Sequence, residues 1–293
     1  MLAVALLCVV CMLHYQPVQS KCIEGVYDKY PDCLFENNAI KPTPKIENDW
    51  YDWWERHHTI VKHKKRINPE IVLIGDSITH RFGGFPEDVG TGKDAWEYLF
   101  QKRKVLNLGF GWDRTQNVLW RLYNGEYEGL KPGYVVVNIG TNNLTPSSKS
   151  KTRANSPYEI VEAIKLIVQI VQENSPDAKL IIMGIFPREG KKYQVQIEEI
   201  NERLKTFIST LPNNVAYLDL SRKFANRKGE VNDELYSDGV HPTDKGYWVW
   251  ARGMKHMLEP AFWATHKNPL SSDTNKEQDN TATLQRRRTI RSR

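Results

Sequence analysis

The chain has 293 residues, 40% of them apolar and 11% aromatic, which is enough for a sizeable core and excludes a disordered or fibrous protein. Its formal charge of +6 invites a nucleic-acid reading until that charge is located. Residues 267–293 hold seven Lys/Arg against three acids, so two-thirds of the excess sits in the tail. The body is close to neutral, and no specific nucleic-acid partner is expected.

Residues 2–13, LAVALLCVVCML, form an apolar run as long as a signal-peptide core and too short to span a bilayer. Val18-Gln19-Ser20 follows as a small-x-small cleavage site, so residues 1–20 read as a signal peptide and the protein as secreted and extracellular. No basic n-region precedes the run, and a short N-terminal membrane anchor is the alternative. Cys8 and Cys11 would leave with the signal. Cys22 and Cys33 remain, and an even pair in a secreted chain most simply forms one disulfide, leaving no thiol for catalysis. Residues 21–48, with Pro31, Pro42 and Pro44, read as an irregular, disulfide-tied lead-in.

The next segment, from Asp49 to His58, reads as a helix with Trp50, Trp53, Trp54 and His57 on one face. Packing on the body is the expected fate of that face, and an exposed aromatic surface for sugar or lipid is the alternative. No acid or cysteine completes a ligand set with His57, His58 and His63. They read as solvated helix residues, and no metal or other cofactor is expected.

From residue 71 onward aliphatic strands alternate with amphipathic helices. Strands are expected at 71–75, 104–108, 134–139, 179–185 and 215–220, and helices at 113–124, 157–174, 193–210 and 243–258. This rhythm predicts an α/β domain, residues 49–265, with a mostly parallel five-stranded sheet covered on both faces. Residues 266–293 read as a disordered basic tail, either solvated, in contact with a polyanion or removed by a basic-site protease.

Polar or glycine-bearing loops leave the carboxyl ends of these strands, where open α/β sheets bind ligands. They are Gly75-Asp76-Ser77, Asn107-Leu108-Gly109-Phe110-Gly111, Gly140-Thr141-Asn142-Asn143 and Ser237-Asp238-Gly239-Val240-His241-Pro242. Together they supply the parts of acyl transfer. Ser77 would be the nucleophile, His241 its base, and Asp238 the group that fixes the imidazole tautomer. The N–H groups of Ser77 and Gly109, with the Asn142 amide, would form the oxyanion hole. Asp76 fits better as a turn and helix-cap residue. Thr79 stands where a Gly-x-Ser-x-Gly elbow needs its second glycine, which argues against the common α/β-hydrolase arrangement.

These four blocks resemble those of the SGNH hydrolases, the GDSL esterase/lipase family, over roughly residues 50–262. Asn117–Leu122 with Gly140–Asn143 is similar to the acetylhydrolase branch typified by platelet-activating-factor acetylhydrolase Ib catalytic subunits. The resemblance implies a three-layer α/β/α, flavodoxin-like fold and a metal-independent esterase for short acyl groups, with Ser77, Gly109, Asn142 and His241 as its four named residues. The expected substrate is a small ester, an acetylated sugar or a phospholipid. Gly111-Trp112 departs from the small residues expected there, and Trp112 would narrow or roof the acyl pocket. A weakly active carbohydrate- or lipid-binding protein, or an acyltransferase using the same residues, are the alternatives. Asn143-Leu144-Thr145 is formally a glycosylation sequon, although a glycan there would crowd the site.

Overall fold

Five parallel strands, β1 (Ile71–Gly75), β2 (Val105–Gly109), β3 (Tyr134–Asn138), β4 (Lys179–Met183) and β5 (Val215–Leu218), form one sheet in the order β2-β1-β3-β4-β5. They belong to a computed structural model that describes residues 37–46, 50–86, 90–227 and 230–271. The expected signal segment, the expected Cys22–Cys33 disulfide and the tail beyond Ser271 lie outside the described residues. Residues 266–271, expected as the start of a disordered tail, instead pack on the domain, because the buried Asn268 side chain donates to the carbonyls of Leu211, Pro212 and Val215.

The central strands read as continuous apolar runs because both faces are covered. Their period-two alternation sorts the side chains into two cores. Val72, Ile74, Leu106, Leu108, Val135, Val137, Leu180 and Ile182 face one way. They pack against α1 (Trp53–Ile67), α4 (Thr115–Arg121), α5 (Pro157–Asn174) and α6 (Lys191–Ile208). Ile71, Leu73, Val105, Val136, Ile181, Met183 and Ala216 face the other way. Their partners are α2 (Ser77–His80), α3 (Lys93–Phe100), α7 (Asp244–Met254) and α8 (Pro260–Thr265). The result is the three-layer α/β/α arrangement, and β1 lies at the point where the crossovers reverse direction.

Local chemistry sets the helix ends. Ser156 and Glu159 form a capping box with Pro157 in the first turn, so α5 coincides with its expected span. The Asp52 carboxylate accepts the N–H groups of Trp54 and Glu55, which starts α1 at Trp53. Trp50 therefore precedes the helix. Trp53 and His57 are buried, whereas Trp54, rotated from them by the helical period, is 41% exposed and Trp50 48%. The expected four-residue face is thus split, and His57 is a core residue rather than a solvated one.

Two expected elements stop early for visible reasons. The Asn201 side chain takes both backbone groups of Ile185, drawing the chain off the sheet after Met183. The helix expected over 113–124 runs only to Arg121, and a wider turn at Leu122–Glu126 follows, with Gly125 at φ 96°. That turn brings the Glu126 carboxyl inside, where its side chain is fully buried. The segment from Asn37 onward belongs to the same compact unit as the sheet. Thr43 and Ala39 bond to the first turn of α4 through Gln116, Asn117 and Thr115.

Candidate active site

Ser77 is the first residue of α2, directly beyond β1. Asp76 caps this helix through Oδ1, which accepts the Ile78 N–H at 2.9 Å. The turn is tight enough that only glycine fits before it. A Cβ on Gly75 would lie 2.0 Å from Thr79 Oγ1 and 2.5 Å from the Asn138 carbonyl. Burial pushes the Asp76 carboxyl up to about 7, against the opposing Ile78 N–H, so near neutral pH this cap is only partly ionised.

The loop after β5 brings its histidine to this serine. His241 Nε2 lies 2.8 Å from Ser77 Oγ, and His241 Nδ1 lies 2.7 Å from Asp238 Oδ2. An ionised Asp238 holds the proton on Nδ1 and leaves Nε2 to accept the Ser77 hydroxyl. Burial alone would raise Asp238, but hydrogen bonds from the His241 backbone and ring and from the Val240 N–H hold it below its ordinary value. His241 is also lowered. Burial is the largest cause, the Asp238 contact opposes it, and the Arg81 charge adds to it. Arg188, on the loop after β4, contributes in the same direction and donates to the Thr141 carbonyl and Thr145 Oγ1, both at 3.2 Å.

Asn142 sits in a short 3₁₀ turn beyond β3 and is buried. Its Nδ2 donates to the Asp113 carbonyl at 3.0 Å, which leaves one amide hydrogen for a ligand. The neighbouring Asn143 is fully buried, with its Nδ2 bonded to Thr115 Oγ1, Gln116 Oε1 and Asn155 Oδ1. The folded domain has no room for a glycan on that amide.

Gly109 does not meet its expectation as an oxyanion donor. Its N–H is held by the Asn107 side chain, N to Oδ1 2.7 Å, while Asn107 Nδ2 donates to the carbonyls of Thr79 and Gly83. Glycine is needed at 109 for packing, since a Cβ would lie 2.3 Å from the His80 nitrogen. Three residues on, Trp112 has φ +60°, a left-handed conformation uncommon for a bulky residue, and its N–H has no protein acceptor among the described residues. It directly precedes Asp113, whose carbonyl holds Asn142. The Trp112 indole is 59% exposed, outside the core rather than inside it.

Behind this turn lies a buried chain of charges that the sequence pattern did not suggest. Arg121 Nε donates to Asp113 Oδ2 at 2.8 Å, and its NH1 donates to Glu126 Oε2 at 2.6 Å. All three side chains are fully buried. Trp53 Nε1 bonds Asp113 Oδ1 at 2.8 Å, and His57 Nδ1 lies 2.8 Å from Glu126 Oε1. Burial lifts Asp113 to about 6 despite Arg121 and the Trp53 donor, while its two carboxylates hold Arg121 above its ordinary value against burial.

A family model described as GDSL-like lipase/acylhydrolase matches residues 73–249, the span that carries all of these loops. The chain belongs to that family. Among curated relatives of this GDSL hydrolase, the human platelet-activating factor acetylhydrolase IB subunit alpha1 is 32% identical over 227 residues, covering 76% of this chain and 90% of the relative. The rat alpha2 subunit is 32% identical over 197 residues, covering 67% and 78%. A solved acetylxylan esterase from Geobacillus stearothermophilus, a catalytic mutant, aligns with a TM-score of 0.53 at 20% identity over 67% of this chain and 95% of its own. A member of the lipolytic G-D-S-L family from Veillonella parvula aligns with a TM-score of 0.51 at 17% identity over 64% and 97%. The GDSL hydrolase is therefore a carboxylic ester hydrolase.

Proposed function

We propose that this GDSL hydrolase is a secreted serine esterase that removes a short acyl group, acetyl first among them, through an acyl-enzyme on Ser77. The observation that carries the reading is the unbroken chain Ser77 Oγ, His241 Nε2, His241 Nδ1, Asp238 Oδ2, with its two contacts of 2.8 and 2.7 Å. The Ser77 proton passes to Nε2 as Oγ attacks the ester carbonyl carbon. The carbonyl oxygen gains the negative charge and meets the N–H of Ser77, the N–H of Trp112 and the second amide hydrogen of Asn142. Collapse breaks the bond to the alcohol oxygen, which takes the proton from Nε2. Water then repeats the sequence, releases the acid and restores Ser77.

The acetyl preference draws support from the relatives named acetylhydrolases at about 32% identity. Secretion draws support from the apolar run at 2–13 and the small-x-small site that ends at Ser20. The test is a panel of acetyl, butyryl and longer-chain esters, including an acetylated glycan and an acetylated phospholipid, run on wild type and Ser77→Ala. The expected result is Ser77-dependent hydrolysis fastest for acetyl. Equal rates in the two proteins, or a preference for long chains, would overturn the reading.

A further inference from the structure

The turn after β2 is gripped from outside the sheet, by the segment that precedes α1. The Gly111 carbonyl accepts two hydrogen bonds, from Lys45 Nζ at 2.9 Å and from Tyr51 Oη at 3.2 Å. A peptide unit is planar and trans, so its C=O and N–H point in opposite directions. The Gly111 carbonyl and the Trp112 N–H belong to one such plane. Whatever fixes the first therefore aims the second.

Several features mark this grip as more than a surface contact. Lys45 is only 4% exposed, and lysine is almost never buried without a partner. Its ammonium lies 5.8 Å from the centre of the Tyr51 ring, and that ring packs edge-on to His80 at 4.8 Å, so both donors sit in one ordered cluster beside α2. The Lys45 charge adds, as a minor cause, to what lowers both Asp113 and His80. The peptide itself needs outside support, because Trp112 adopts the left-handed conformation that glycine tolerates and a bulky residue resists.

We propose that Lys45, assisted by Tyr51, is a positioning residue of the esterase: it holds the Gly111–Trp112 peptide so that the Trp112 N–H meets the oxyanion, and its charge polarises that donor as negative charge develops on the substrate. The proposal rests on the esterase reading above, with Trp112 as a backbone donor. Lys45 acts on the oxyanion through the Gly111 carbonyl that it holds. Its effect passes through one peptide plane, and it grows in the transition state because the charge it opposes appears only there.

The experiment compares wild type, Lys45→Met, Lys45→Arg and Tyr51→Phe on p-nitrophenyl acetate with rates expressed per fluorophosphonate-titratable serine, and Ser77→Ala, which loses that serine, per mole of protein. Lys45→Met is expected to lower kcat by about tenfold with KM within about twofold, less than removal of a donor outright. Lys45→Arg should recover most of the loss, and Tyr51→Phe, which deletes one hydroxyl, should show a smaller loss of the same kind. A trifluoromethyl ketone should bind Lys45→Met more weakly by the same factor as kcat/KM falls. The inference is overturned if Lys45→Met and Tyr51→Phe match wild type per titrated site, or if KM and thermal stability move while kcat does not. If Ser77→Ala hydrolyses the ester as fast as wild type, the esterase reading itself falls and this inference with it.

Discussion

Arg121→Met tests the buried charge chain behind the site. The substitution keeps an apolar stem over Phe110, whose ring centre lies 3.9 Å from the guanidinium carbon, but removes the charge between Asp113 and Glu126. Both carboxyl side chains have no solvent exposure, so neither can be rescued by water. Breaking one buried pair costs about 3–5 kcal/mol. Two pairs share this arginine, yet Trp53 and His57 still hold one oxygen of each acid, so the loss should stay near that range rather than double. Against a total stability of about 5–15 kcal/mol this is large but survivable. The assay is urea unfolding at pH 7.5 and at pH 5. The deficit should shrink at pH 5, because Asp113, raised to about 6, is then protonated and no longer a buried unpaired charge. A loss below about 1 kcal/mol, or a deficit independent of pH, would refute the reasoning.

Asn142→Ala should lower kcat by about 10²–10³ in steady-state hydrolysis of p-nitrophenyl acetate, as removal of one oxyanion donor does elsewhere. Because burial and Arg81 hold His241 below its ordinary value, the base stays neutral to lower pH, and the acid limb of kcat/KM should fall below pH 6.5. Arg81→Gln should move that limb upward, and a profile that does not shift would count against the electrostatic assignment. Asp76 gives the opposite kind of prediction. Its folded pKa is raised from 3.8 to about 7, so the folded state keeps a proton that the unfolded chain releases, and stability falls as pH rises through that window. Asp76→Asn should flatten the slope, by up to roughly 4 kcal/mol across it, in urea midpoints measured at pH 4.5 and 7.5.

The parts of the fold carried by local chemistry were legible in the sequence. Val135–Val137 and Leu180–Ile182 read as buried strands because they are unbroken aliphatic runs, and Ser156-Pro157 with Glu159 announces the start of its helix. The meeting of Ser77 with Asp238 and His241 was legible too, since each follows a strand at the same edge of one sheet. What escaped depends on distant side chains. Gly109 looked like a donor, but whether its N–H is available is decided by the Asn107 carboxamide, and the neighbouring Trp112 gave no sign that its backbone turns left-handed. Asp113, Arg121, Glu126 and His57 read as ordinary polar residues, because charge alone does not reveal that a wider turn at Leu122–Glu126 folds them inward together. Lys45 lay in a segment read as a lead-in, and only the folded chain sets it against Gly111.

The most direct measurement of the central claim is active-site labelling with a fluorophosphonate, followed by peptide mapping and by p-nitrophenyl acetate hydrolysis at each degree of labelling. The expected result is a single adduct on Ser77, with activity lost in proportion to its occupancy and no adduct in Ser77→Ala. An adduct on another residue, or hydrolysis that survives full labelling of Ser77, would contradict the assignment of Ser77 as the nucleophile.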